Sequence, residues 1–474
     1  MKRQFLSFRA KKCEFHEIIR AKKCKKRLTK YTKYDILQKT EVLMERKIYN
    51  DLLKWKNKSD RKPLILQGAR QVGKTYIINY FAGKEYANNV YLNFEKDKGL
   101  ADFFVDLSPE KIIKKISLYK RKEILPEHTL LIFDEIQACP EAITSLKYFC
   151  EDAPQYHVVA LGSLLGVSVN RGISSFPVGK VEFMTLFPLD FEEYLMARGE
   201  GELANIIRKA FKSDTALDRV FHERALEYFH EFLFVGGMPE SVEEYNKNEN
   251  PELVRIIQDS IIEAYHNDMG KYNKQSEIPK TRIVYKSIST QLAKENKKFK
   301  YRDVKQGGRA NEFEGAIEWL SLAGIASQNY RLEQIMLPLN AYRSLTDFKF
   351  YMSDVGLLGA CQDINYNDIL LEDPLLDNFK GALCENYVFC QLTANGLSLY
   401  YWTSKNLAEV DFITRIGSDI VPIEVKSKTN NRSKSLNYYR DKYSPKYAIR
   451  ISEKNFGFEN GIKSVPLYAA FCIE

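Results

Sequence analysis

Eight residues, Gly68-Ala-Arg-Gln-Val-Gly73-Lys74-Thr75, constrain the fold of this chain more than any other feature. They fit the pattern G-x-x-x-x-G-K-[ST] and stand between a short apolar run, Pro63-Leu-Ile-Leu-Gln67, and a segment read as a helix. A glycine-lined bend at that place lets backbone N–H groups converge on phosphate oxygens, and the positive end of the following helix adds to the attraction. Lys74 supplies a point charge for the β- and γ-phosphates, and the Thr75 hydroxyl suits magnesium. The expected nucleotide-binding set is Gly68, Ala69, Arg70, Gln71, Val72, Gly73, Lys74, Thr75 and Tyr76. Downstream, Leu130-Leu-Ile-Phe-Asp134-Glu135 places an acid at the end of a buried strand, which is costly unless it meets a cation. Asp134 is therefore expected to hold the hydration shell of magnesium, and Glu135 to orient or deprotonate the attacking water. The ligands this implies are ATP and Mg2+, and the reaction is ATP hydrolysis.

The surrounding pattern is strand, turn, helix, repeated. Apolar runs at Pro63–Gln67, Asn89–Asn93, Thr129–Asp134, His157–Leu161 and Val181–Leu186 read as five strands, with helices between them such as Glu141–Cys150 after Pro140. Such alternation predicts an α/β fold with a parallel sheet and ligands at the carboxyl ends of its strands. Ser163, at the tip of the fourth strand, is a candidate contact for the γ-phosphate or the attacking water, and equally a helix N-cap. Arg171 and Lys180 are the options for an arginine-finger role.

Charge adds less than the net +9 suggests. The first 43 residues hold fourteen Lys and Arg against Glu14, Glu17, Asp35 and Glu41, so the remainder is near neutral and its basicity says nothing about DNA. Residues 1–43 read as a disordered basic arm, or as an over-extended start with Met44 the true initiator; Cys13, His16 and Cys24 lack a fourth ligand for zinc. No apolar signal region opens the chain. The longest apolar stretch, from His157 to Val169, is interrupted by Gly162, Ser163 and Gly166 and falls short of the ~18 residues of a membrane span. Eight scattered cysteines read as reduced thiols, hence a cytoplasmic protein without a membrane partner.

Four segments together resemble one prokaryotic group, the AAA-type ATPases with a C-terminal domain of unknown function. They are Gly68–Thr75, Leu130–Gln137, Val181–Leu189 with the following Asp190-Phe-Glu-Glu-Tyr194, and Phe234-Val-Gly-Gly-Met-Pro-Glu240. The resemblance runs from Met44 to the end. It implies an AAA-type core over 44–200, a helical lid over 201–275 and a winged-helix-like segment over 276–360. In that group Gly-Arg commonly precedes the fifth strand, whereas here it is Gly179-Lys180, and Lys lacks the planar fork of Arg. The winged-helix reading makes Phe313, Ile317 and Leu320 a core stripe and places a hairpin around Gln328–Ala341. Lys297, Lys298, Lys300, Arg302, Lys305 and Arg309 are its candidate basic face for DNA.

Residues 361–474 read as a separate α/β domain. A helix over Gly381–Thr393, strands at Leu399–Thr403, Glu409–Thr414 and Val421–Lys426, a helix near Lys434–Tyr443 and a strand at Tyr447–Ile451 give the order α-β-β-β-α-β. With Asp411 in the second strand and Glu424-Val-Lys426 in the third, this resembles the PD-(D/E)xK nuclease core, a restriction-endonuclease-like fold. Alternation puts Glu424 and Lys426 on one face. Glu385, Asp411 and Glu424 are the expected magnesium ligands, Asp411, Glu424 and Lys426 the expected catalytic set, and Ser433, Lys434 and Tyr438 weaker substrate contacts.

Two functions fit these residues. In the first, ATP hydrolysis by Lys74, Glu135 and Ser163 is coupled to nucleic-acid binding or processing. In the second, nucleotide operates a switch or scaffold whose nuclease-like domain is inactive. DNA, a protein partner and a second copy of the chain are left open as partners.

Overall fold

The computed structural model describes residues 44–163, 176–370, 374–404, 407–428 and 434–474. Contacts divide the chain into residues 1–44 and 45–474, and the second unit is described below. The basic arm with its Cys13, His16 and Cys24, and also Arg171 and Ser433, lie outside the described residues.

Five parallel strands form the first sheet: β1 (Leu64–Gln67), β2 (Asn88–Asn93), β3 (Thr129–Asp134), β4 (His157–Gly162) and β5 (Glu182–Thr185), in the order β2-β3-β4-β1-β5. β3 and β4 are buried along their whole length, as parallel strands covered on both faces must be. β5, at the edge, alternates between half-buried and exposed residues. Phe133 anchors the core on one face, meeting Phe94, Phe104 and Phe149 edge-on with centroids 5.5–6.1 Å apart. Each such ring contributes roughly 1.5–3 kcal/mol by leaving water. The order brings β1 beside β4 and β4 beside β3, so the loops after β1, β3 and β4 open at one end of the sheet.

A helical region follows, with helices Phe191–Ala197, Gly201–Ser213, Arg219–Val235, Pro239–Asn248 and Pro251–Lys271. Asp190 caps the first, accepting from the Glu193 amide at 2.8 Å while Glu193 accepts from the Asp190 amide at 3.2 Å. At the Gly236-Gly237 break the chain passes so close to Leu189 that a Cβ on Gly237 would lie 2.0 Å from its carbonyl oxygen. The Gly237 amide donates to buried Asp354 at 2.6 Å, which also caps the helix Val355–Ala360 through Leu357. Burial pushes the Asp354 carboxyl up to about 6, its backbone hydrogen bonds opposing the rise. A raised folded-state value stabilises the fold below the ordinary carboxylate range, and this contribution is lost as pH climbs through about 6. The stability gap between wild type and Asp354→Asn, measured by chemical unfolding at stepped pH, should therefore narrow by roughly 2 kcal/mol between pH 4 and 7.

The second sheet has eight strands in the order β12-β13-β11-β10-β9-β8-β6-β7. They are β6 (Ala326–Leu332), β7 (Arg343–Met352), β8 (Tyr400–Ser404), β9 (Ala408–Ile416), β10 (Asp419–Val425), β11 (Ala448–Ser452), β12 (Gly457–Glu459) and β13 (Ile462–Pro466). The expected order of helix, three strands, helix and strand is present, with helices Asp377–Ala394 and Lys434–Tyr443. β12, β13 and the 3-10 turn Leu467–Cys472 extend it beyond expectation.

The hairpin is longer than expected and stands elsewhere. β6 and β7 pair antiparallel, and β6 pairs in parallel with β8 through Tyr330 and Arg331. The β6–β7 hairpin thus joins the sheet of residues 361–474 through the β6–β8 pairing, and the last five residues of β7 are buried. Phe313, Ile317 and Leu320 are core, as read.

Candidate nucleotide site

Gly68 opens the loop with φ +148°, and a Cβ there would stand 2.2 Å from the Leu186 carbonyl oxygen. Only glycine lets the loop turn this close to the strand edge. Gly68→Ala is expected to lower the unfolding free energy by roughly 2–4 kcal/mol and to displace the loop. Chemical denaturation together with nucleotide titration checks both. Gly73, at φ +92°, delivers the chain into the helix Lys74–Glu85.

Lys74 is buried and folds back over the loop, donating to the Gly68 carbonyl at 2.9 Å and the Ala69 carbonyl at 2.7 Å. Burial lowers its pKa to about 8 against the opposing charges of Glu135 and Asp134. The Thr75 hydroxyl donates to Asp134 Oδ2 at 3.2 Å, so the two expected magnesium residues are adjacent. Tyr91, on β2, donates to the same carboxylate oxygen. These are hard oxygen donors of the kind magnesium takes. Glu135 follows at φ 52°, its amide donating to Asp134 Oδ1 at 2.9 Å and its carboxylate held by Gln137. Burial raises the Glu135 pKa; the Gln137 bond opposes this and the charge of Asp134 adds to it. Ser163 is buried directly after β4, between the strands that carry Thr75's loop and Asp134. Tyr76 is half exposed. Lys180, the described finger option, is paired with Glu151 at 2.9 Å.

The loop is also gripped by residues that no local motif announces. Arg70 forms an ion pair with Asp268, and the Tyr265 hydroxyl donates to the Arg70 carbonyl at 3.3 Å, both partners lying on the Pro251–Lys271 helix. Arg46 donates to the Val72 carbonyl at 3.1 Å and pairs with Glu193 at 3.2 Å. Gly324 packs on Ala69, its virtual Cβ 3.2 Å from the Ala69 nitrogen. Behind the loop lies a cavity of about 80 Å³ lined by Gly68, Ala69, Leu186, Asp354, Tyr387 and Cys390 among others. Gln71, Val72 and Gly73 complete the turn, Val72 fully buried.

The C-terminal carboxylates also converge, but on lysines. Glu385 is buried against Lys349 at 2.8 Å, Lys297 and the Tyr351 hydroxyl. Asp411 accepts from the Val425 amide at 2.9 Å and lies 3.8 Å from Lys349. Burial, then the charge of Glu385, raises Asp411 to about 7. Glu424 meets Lys426 at 3.2 Å through one oxygen, while its other oxygen is buried without a hydrogen-bond partner. Among the described residues, no group of three or more His, Cys, Asp or Glu is placed to hold a metal ion. Of the expected basic face, Lys297 turns inward to Glu385, Lys298 pairs with Asp347 at 2.6 Å, and Lys305 pairs with Glu312 at 3.4 Å. Lys434 begins its helix, and Tyr438 stacks on Trp402 at 6.2 Å.

Residues 60–195 match the AAA domain family. The chain carries an AAA-type P-loop ATPase domain. Residues 226–368 and 380–470 match two domains of unknown function, DUF8612 and DUF4143. No curated protein matches the chain. Similar solved structures include a Walker-type ATPase of Pyrococcus abyssi, at 14% identity over 70% of this chain and 98% of that one, with TM-score 0.43. The ORC2 protein of Aeropyrum pernix in ADPNP–ADP complexes is 13% identical over 68% and 92%, with TM-score 0.36. The ORC1 protein of the same organism in complex with DNA is 13% identical over 71% and 97%, with TM-score 0.26. Likeness this low carries no inference about what this chain binds. Among the described residues no helix is long and apolar enough to cross a membrane, and the six described cysteines are free thiols.

Proposed function

We propose that this chain binds and hydrolyses ATP with magnesium, and that the nucleotide operates a switch across the rest of the molecule. The observation that carries the first part is the Thr75–Asp134 contact at 3.2 Å, which joins the phosphate loop to the acid at the tip of β3. Thr75 and Asp134 would hold magnesium, which would offset the charge of the phosphates. The loop amides and the Lys74–Glu85 helix terminus orient the triphosphate. Lys74 leaves its loop carbonyls to face the β- and γ-phosphates. Glu135 takes the proton of the attacking water, and burial, which raises its pKa, makes it a stronger base. Ser163, buried at the tip of β4, would contact the γ-phosphate.

The switch reading is supported by the grip on the loop. Arg70 is tied to Asp268, Ala69 touches Gly324, and the cavity behind the loop is walled by Tyr387 and Cys390 of the Asp377–Ala394 helix. A phosphate that moves Lys74 and Arg70 pulls directly on these elements. The competing reading, nucleic-acid cleavage with magnesium at Glu385, Asp411 and Glu424 and with Lys426 positioning the water, has one favourable observation, the unpartnered Glu424 oxygen. Phosphate release by the full chain, measured with and without single- and double-stranded DNA and alongside a cleavage assay, separates the readings. Magnesium-dependent turnover indifferent to DNA, with no cleavage, supports the switch. Cleavage lost in Asp411→Ala or Lys426→Ala would replace it with the nuclease, and no turnover at all would end the ATPase proposal.

A further inference from the structure

Lys349 lies on β7, outside the α-β-β-β-α-β unit whose carboxylates resemble a metal site. Its side chain is wholly inaccessible. The ammonium sits 2.8 Å from Glu385 Oε1, 2.6 Å from Glu409 Oε1 and 3.8 Å from Asp411 Oδ1, with the Tyr401 ring centroid 5.3 Å away. Lys297 closes the other oxygen of Glu385, and the Val425 amide holds the other oxygen of Asp411. We propose that the Lys349 ammonium stands where a divalent ion would have to stand, so that this cluster is a metal-independent ionic core.

The argument is one of space and charge. Magnesium demands near-octahedral oxygens at about 2.0–2.1 Å, supplied by carboxylates turned toward a common centre. Here that centre is filled by an amine with three donors, two of which are used on Glu385 and Glu409 while the third side faces Asp411. A second cation in this dry interior would meet a fixed like charge at close range, where repulsion is poorly screened. Lys349 is held in place by the β6–β7 pairing and its bond to Glu385 of the Asp377–Ala394 helix, and a buried ammonium stripped of its partners is strongly unfavourable. Four carboxylates, Glu385, Glu409, Asp411 and Glu424, meet three lysines, Lys297, Lys349 and Lys426, so the cluster already carries most of its counter-charge. The α-β-β-β-α-β unit supplies the acids, and the hairpin added to its sheet supplies the cation.

The inference is independent of the nucleotide site, and its test is run without nucleotide. Mn2+ uptake by the full chain is followed through the electron paramagnetic resonance of the free ion. Wild type is expected to leave the ion free up to about 1 mM, the weak end of carboxylate sites, and Asp411→Asn and Glu424→Gln to behave as wild type. Lys349→Ala is expected to take up one ion per chain at least ~10-fold more tightly, and to lose it when Asp411→Asn is added. The double variant Lys349→Met with Glu385→Gln removes one charge of each sign, which keeps the cluster balanced, and it should remain free of ion. Saturable uptake by wild type that Asp411→Asn or Glu424→Gln abolishes overturns the proposal. That comparison decides the matter even where Lys349→Ala does not fold. A folded Lys349→Ala that takes up no ion overturns it as well.

Discussion

Lys74→Ala is expected to leave a folded chain whose ATP turnover falls at least ~100-fold, the scale of losing a charged stabiliser of a developing anion. The Lys74 ammonium bridges the Gly68 and Ala69 carbonyls at 2.9 and 2.7 Å, inside the turn that a triphosphate would enter. Removing it deletes the cation that phosphate would draw out of that turn. It also leaves two loop carbonyls unpaired, which loosens the very backbone whose amides face the ligand. Affinity and turnover should therefore fall together. A fluorescent-nucleotide titration and a phosphate-release assay read the two separately. Unchanged affinity would show that the loop between β1 and its helix is not the phosphate cradle.

Glu135→Gln separates binding from chemistry. The substitution is isosteric, and the amide oxygen can still accept from Gln137, so the left-handed turn after β3 should survive. Nucleotide affinity is expected to stay within a factor of about three, while kcat falls by roughly 100- to 10,000-fold, the range for removing a general base. The distinction matters because Asp134 and Glu135 differ in environment. Asp134 is engaged by Thr75, Tyr91 and the Glu135 amide, which suits an ion-holding role. Glu135 has a single side-chain donor and a pKa raised by burial, which suits proton transfer. Turnover retained in the variant would mean that another group activates the water. Glu95 is already engaged by Lys271, which makes it a poor substitute.

Much of the nucleotide half of the molecule was legible in the chain itself, because its signals are local. A glycine pair at fixed spacing, a lysine and a hydroxyl at the start of a helix, and an acid closing an apolar run each have their meaning within a few residues. The five strands of the first sheet fall where short apolar runs bounded by turns place them, and the helix after Pro140 begins as proline at its first turn predicts. Phe313, Ile317 and Leu320 announce a buried face through helical spacing alone.

What escaped the sequence depends on strand pairing and on contacts across long separations. Nothing near Gln328 or Phe348 says that their hairpin will pair with Tyr400 rather than stand free, since edge pairing is set by whichever backbone arrives beside it. That pairing carries Lys349 into the midst of Glu385, Glu409 and Asp411, turning an apparent acid cluster into one largely paired with lysines. Arg70 and Asp268, or Ala69 and Gly324, likewise meet only once the helical region has folded over the loop. Local chemistry written in consecutive residues thus makes the glycine loop and the acids after β3 legible. The charge balance of the C-terminal cluster was settled by packing, because a buried group's partner is chosen by three-dimensional proximity, to which chain order is blind.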